Sequence, residues 1–176
     1  IKLYKLQVSI LFMKRGQMKL SFGMIFSIFL IIVFISFAFY AISKFLNIGN
    51  TAQVVKFTDK LQEDIDKIWK GSQASQEQVY FLPSKIKTIC FIDYNSEKRG
   101  LRDLIYNELE QTYYENENLF FYPLGSAEGL NAKSIKHIDI EKTTTRENPL
   151  CIENIKGKVK MRLKKDFEET LVSIEK

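Results

Sequence analysis

Hydrophobic and polar positions fall into three successive patterns along this chain. From Leu20 to Ser43 run 24 residues without a charge, bounded by Lys19 and Lys44, nearly all of them Phe, Ile, Leu, Val, Met, Ala or Ser. At about 1.5 Å per residue such a helix is about 36 Å long, enough for a hydrocarbon core of about 30 Å. Every face is apolar, whereas a helix in a soluble core keeps a polar face. A transmembrane helix over 17–46 is predicted.

The second pattern has a helical period. Val54, Phe57, Leu61, Ile65 and Ile68 recur at steps of three and four, with Asp59, Lys60, Glu63, Asp64 and Lys67 between them. This predicts an amphipathic stem helix over 47–71, ending near Lys70-Gly71. Gly and Asn within Asn47-Ile-Gly-Asn-Thr51 weaken helix there and offer Asn50 or Thr51 as an N-cap. The apolar stripe needs cover, which the rest of the domain supplies most simply; an interface with other subunits is the alternative.

The third pattern is shorter in period. After a polar linker, 71–78, strands are predicted at Val79–Leu82 and Ile86–Asp93, both rich in β-branched and aromatic residues, and further ones at Asn118–Tyr122, Ser134–Ile140, Leu150–Asn154, Lys158–Lys164 and Thr170–Ile174. A shorter helix is expected within Gly100–Tyr114, with Leu101, Leu104, Ile105, Leu109 and Tyr113 on one side. Gly125–Ala132 is turn-rich, and Ile155-Lys-Gly157 marks a hairpin. The fold class is therefore α+β: a long N-terminal helix, transmembrane then amphipathic, followed by a small strand-rich head domain over 72–176.

Charge changes the picture by its location. The formal net charge is +5, yet residues 1–44 hold six Lys or Arg and no acid, leaving 20 basic against 21 acidic residues in the remainder. The basic character belongs to the membrane flank, and no nucleic-acid partner is implied. Five of the six flanking cations precede the span. The positive-inside rule then predicts a cell-membrane protein with a cytoplasmic N-terminus and an extracytoplasmic head. Cys90 and Cys151 both lie in that head, where an exported fold can oxidise them to a disulfide; two unpaired buried thiols are the alternative.

Candidate chemistry is sparse. His137, the only histidine, falls in a predicted strand with no Ser or Cys motif beside it, so a surface or pairing role is expected. No HExxH, GxSxG, GxGxxG or Walker-type loop occurs, and neither cysteine sits in a CxxC. No catalytic residue, metal site or cofactor is assigned, and a non-enzymatic role is expected. Glu115-Asn-Glu117 and Thr143-Thr-Thr145 read as polar loops. Lys156, Lys158, Lys160, Arg162 and Lys164 form an alternating basic row, read as a solvated strand face; docking of anionic polymers or lipid head groups and edge protection by lysines are the alternatives.

Two signals precede or interrupt the span. Ser36-Phe-Ala38 is an A-x-A-like site, although the span is too long for an ordinary secretory signal. Met13 opens the string Met-Lys-Arg-Gly-Gln-Met-Lys, which suggests translation from Met13 with residues 1–12 an over-called start. Lys14-Arg15-Gly16-Gln17, a short basic leader ending in glycine ahead of an apolar helix, resembles the class III signal peptide of archaeal type IV pilin-like proteins. The resemblance implies a leader over 1–16, cleavage between Gly16 and Gln17 by a prepilin peptidase, and packing of the retained apolar helix with other pilin-like subunits. The motif covers a handful of residues and the likeness of architecture about the first 70, while the head carries no resemblance. One departure stands out: many pilins carry glutamate at the fifth mature position, where this chain has Ser21, and no acid precedes Asp59. The expectation is a single-pass, pilin-like cell-surface protein held in the lipid bilayer, with a structural, adhesive or assembly role. The alternative is a single-span protein whose head binds a ligand or partner without entering a filament.

Overall fold

The computed structural model describes residues 21–112 and 116–176. The chain divides into two units at Ile42/Ser43. A single helix, α1 (Phe22–Lys70), contributes to both. The expected cap at Asn50 or Thr51 is not used: Thr51 instead donates its hydroxyl to the Asn47 carbonyl at 3.0 Å, inside an unbroken helix. One glycine in a helix interior costs about 1 kcal/mol, too little to end a helix that propagates cooperatively from both sides.

Within the second unit the order is β1 (Ala74–Phe81), β2 (Thr88–Phe91), α2 (Asp103–Gln111), β3 (Leu119–Tyr122), β4 (Ala132–Lys133), α3 (Ile140–Thr144), β5 (Leu150–Glu153), β6 (Lys158–Lys165) and β7 (Ser173–Glu175). The strands make two antiparallel sheets, one ordered β1-β6-β7 and the other β4-β3-β2-β5. The α+β class with a long N-terminal helix is thus what the chain adopts.

The main core joins both sheets to the stem. Val54, Phe57, Leu61, Ile65 and Ile68 are all buried, against Ile89, Phe91, Leu119 and Phe121 of one sheet and Tyr80, Val159, Met161 and Leu163 of the other. Phe57 meets a ring from each sheet edge-on, Tyr80 at 5.5 Å and Phe121 at 5.8 Å. The stripe is therefore covered by the head itself, as periodicity required of it. The opposite face of the four-stranded sheet is also covered: Cys90, Ile92, Phe120 and Cys151 pack beneath Tyr106 and Leu109 of α2. Cover on both faces accounts for the unbroken burial of β2, from Thr88 to Phe91.

Five local expectations differ from the structure. The polar linker 71–78 is largely strand, because β1 pairs along its whole length with β6, from Ala74 opposite Lys165 to Phe81 opposite Lys158. Ser75, Gln76 and Glu77 are all exposed and Tyr80 is the one fully buried residue of the strand, so backbone pairing rather than hydrophobicity defines it. In α2 the buried side is Tyr106 and Leu109, while Leu104 is exposed at 84% and Leu101, exposed too, precedes the helix; Tyr113 lies outside the described residues. Residues 134–138 are a loop, with one bridge from Ile138 to Val172, and Thr143-Thr-Thr145 belongs to and caps α3, whose N-cap Asp139 accepts from the Lys142 amide at 2.8 Å. Finally, Ile155-Lys-Gly157 is a tight turn with Lys156 at φ +53° and Gly157 at +82°, closed by Ile155 and Lys158. The turn carries the chain from one sheet into the other, since β5 pairs with β2 and β6 with β1.

Candidate functional site

Three features carry the functional content: the apolar helix, the joint between stem and head, and the outer face of the three-stranded sheet. From Phe22 to Ile42 every residue of α1 is exposed, so this segment is not the core helix of a soluble domain. An apolar surface of that extent calls for lipid or for other apolar helices. Its hydroxyls are compatible with hydrocarbon. Ser27 donates to the Gly23 carbonyl and Ser36 to the Ile32 carbonyl, both at 2.8 Å, so both serine protons are satisfied within the helix. Tyr40 and Lys44 close the span with residue types that favour a membrane interface. The helix fits a single-pass membrane anchor. The predicted cleavage pair, Gly16 and Gln17, the start at Met13 and the flanking Lys19 lie outside the described residues. Ser21 is the first described residue, and its Oγ accepts the Met24 amide at 3.3 Å in the first turn of α1.

At the other end of α1, polar groups of the stem hold the head in register. Gln62 makes a reciprocal pair with the Lys136 backbone, accepting its N–H at 2.8 Å and donating to its carbonyl at 3.2 Å. Tyr80 donates to Asp64 at 3.1 Å within the core, and burial, followed by the Asp64 charge, pushes the phenol well above its ordinary range. His137 is not on a strand. It occupies a left-handed turn position at φ +63°, where it stacks on the Trp69 indole at 3.8 Å with a 4° interplanar angle, and its Nδ1 lies 2.8 Å from Asp66 Oδ1. A carboxylate only accepts, so Nδ1 carries the proton of this bond. The bond from His137 holds the Asp66 carboxyl below the usual range. Lys165 completes the joint: 8% exposed, it donates from Nζ to the Trp69 carbonyl at 2.7 Å and the Gly71 carbonyl at 2.8 Å. A buried cation thereby caps the C-terminus of α1, where carbonyls lack helical partners and the dipole is negative.

The basic row lies on the outer side of β6, with Val159, Met161 and Leu163 inward. Lys156 is not part of it, being in the turn. Edge protection does not account for the row, because β6 is the central strand between β1 and β7. Much of its charge is internally matched. Lys160 lies 2.7 Å from Glu77 and lowers that carboxyl's pKa, Lys164 lies 2.8 Å from Asp166, and Lys158 sits 6.0 Å from the Phe81 ring centroid. A solvated, largely paired strand face is what the row forms.

Cys90 and Cys151 stand directly opposite one another in the β2–β5 pair and are joined by a disulfide beneath α2. Among the described residues, no three His, Cys, Asp or Glu side chains group as a metal-binding cluster. Glu115 lies outside the described residues, while Glu117 is pushed toward its protonated form by burial. Sequence reasoning found the anchor, the stripe and both cysteines. It missed Asp66, Trp69 and Lys165. For Lys165 a signal existed, since it continues the inward parity of Val159, Met161 and Leu163 and is the only cation to do so.

No protein-family model, no curated protein and no solved structure matches this chain.

Proposed function

We propose that this chain is a non-enzymatic, pilin-like surface protein: inserted with its N-terminus in the cytoplasm, trimmed by a prepilin peptidase between Gly16 and Gln17, and presenting the head outside the cell for adhesion or contact with other surface subunits. The observation that carries the reading is α1, a single helix that is exposed and apolar in its first half and packed into an α+β head in its second. Cutting ahead of such a helix leaves it on the mature protein, free to sit in lipid or pack with its copies. Five cations ahead of the span support the orientation, and the Cys90–Cys151 disulfide fits an oxidising compartment. The sole histidine is engaged by Asp66 and Trp69 in joining stem to head, which favours a structural over a catalytic role for it.

N-terminal sequencing of the membrane-expressed protein tests this directly. The mature chain is expected to begin at Gln17, and an intact leader refutes the pilin-like assignment. Protease added to intact cells is expected to remove the head; protection overturns the orientation.

Ser21 favours a second reading. With a hydroxyl in place of the glutamate of many pilins, the usual pairing of that carboxylate with a neighbour's N-terminal amine is missing. The chain then acts as a lone anchor whose head binds a ligand or partner. Its absence from purified surface filaments, with cleavage at Gln17 intact, selects this reading.

A further inference from the structure

Between the C-terminal end of α3 and β7 lies a cavity of about 490 Å³, within the range of small-molecule sites. Four cations and two carboxylates line it, and their commitments are unequal. Lys142 is engaged by Glu169 and by Asp166, and Lys176 lies 2.5 Å from Glu147. The two guanidinium groups are different. Arg162 reaches Glu77 only at 3.9 Å, while Lys160 holds that carboxylate at 2.7 Å. Arg146 has no ion-pair or hydrogen-bond partner among the described residues. Glu175 stands opposite Arg162 across the β6–β7 pair, yet no ion pair closes between them. The surplus charge of the cavity is therefore carried by guanidinium groups, whose planar forks match carboxylate and phosphate oxygens.

One exposed hydroxyl completes the lining. Thr145 donates to the Glu141 carbonyl at 2.9 Å and keeps lone pairs to accept with. Thr143, Ser173, Leu150 and Ile174 line the floor but are buried, with Thr143 Oγ1 committed to the Ile174 amide at 3.1 Å.

We propose that this cavity is a binding site for an oxyanion-bearing sugar unit, with Arg146 and Arg162 gripping its carboxylate or phosphate and the Thr145 hydroxyl meeting its ring. The proposal is independent of leader cleavage and of filament entry. It holds for either reading of the anchor.

The test is calorimetric titration of the full chain in zwitterionic nanodiscs at low salt. The probes are digalacturonate, glucose 6-phosphate, inorganic phosphate and neutral lactose. Saturation of one site by digalacturonate or by glucose 6-phosphate is expected, and which of them binds tells a carboxylated from a phosphorylated source. Lactose is expected not to bind. Arg146→Gln and Arg162→Gln should each weaken binding about tenfold, the loss of one charge-assisted pair, whereas Lys156→Gln, in the β5–β6 turn, leaves it unchanged. Failure of both sugar anions to saturate by about 10 mM overturns the proposal, as does binding unaffected by Arg146→Gln. Inorganic phosphate binding as tightly as the sugars refutes the saccharide half.

Discussion

Lys165→Met isolates the energetics of the joint between stem and head. Methionine keeps most of the length and the apolar stem of the lysine, so packing changes little while the ammonium disappears. Two carbonyls, Trp69 O and Gly71 O, lose a donor at 2.7 and 2.8 Å in a site that is 8% exposed. A hydrogen bond to a charged group contributes about 1.5–3 kcal/mol, and a cation at a partly buried helix C-terminus adds up to about 2 kcal/mol. The two bonds share one ammonium, and burying that ammonium is itself costly, so the contributions do not add. A net loss of about 2–4 kcal/mol is expected. Lys160→Met is the matched control: same strand, same replacement, but on the outer face in an exposed pair with Glu77. It should leave the urea midpoint close to that of the parent. Trp69 is the only tryptophan and stacks on His137 at the joint, so its fluorescence during urea unfolding of the full chain in nanodiscs reads the contact directly. A loss below about 0.5 kcal/mol, the size of ordinary surface substitutions, or one equal to that of Lys160→Met, refutes the capping argument.

Removing the disulfide with Cys90→Ala and Cys151→Ala frees a loop of 61 positions, which a chain-entropy estimate values at about 4 kcal/mol; an unfolding midpoint that is the same with and without reductant argues against the bridge. Asp66 has a folded pKa below its ordinary 3.8, because His137 donates to it. Its contribution is therefore fully present above that value and lost as pH falls through the lowered one. Trp69 emission should change over that acid range in the parent and not in Asp66→Asn, and identical acid titrations remove the His137–Asp66 contact from the account. Val33→Arg places a charge mid-span at a cost of about 2.5–3.5 kcal/mol, so the membrane-bound fraction should fall, whereas Ile42→Arg, beside Lys44, is tolerated by snorkelling. Equal membrane fractions for the two variants contradict a span centred on this segment.

Some of this protein could be read from residue order alone because the responsible interactions are local. Leu20 to Ser43 lacks charge on every helical face, which by itself excludes water as a comfortable solvent. The stripe from Val54 to Ile68 repeats at the helical period, so its inward face follows whatever covers it. The alternation of Val159, Met161 and Leu163 with Lys160, Arg162 and Lys164 likewise assigns inside and outside to β6. Other features are set between distant segments and have no local mark. Polar residues 74–78 are strand only because β6, more than 80 positions later, offers a full ladder. The burial of Tyr106 in place of Leu104 depends on where the second face of the four-stranded sheet lies. His137 leaves its expected strand for a left-handed turn, where Trp69 and Asp66 of the stem receive it. Local periodicity could point Lys165 inward, but only the tertiary fold supplied the two carbonyls that make a buried cation there favourable.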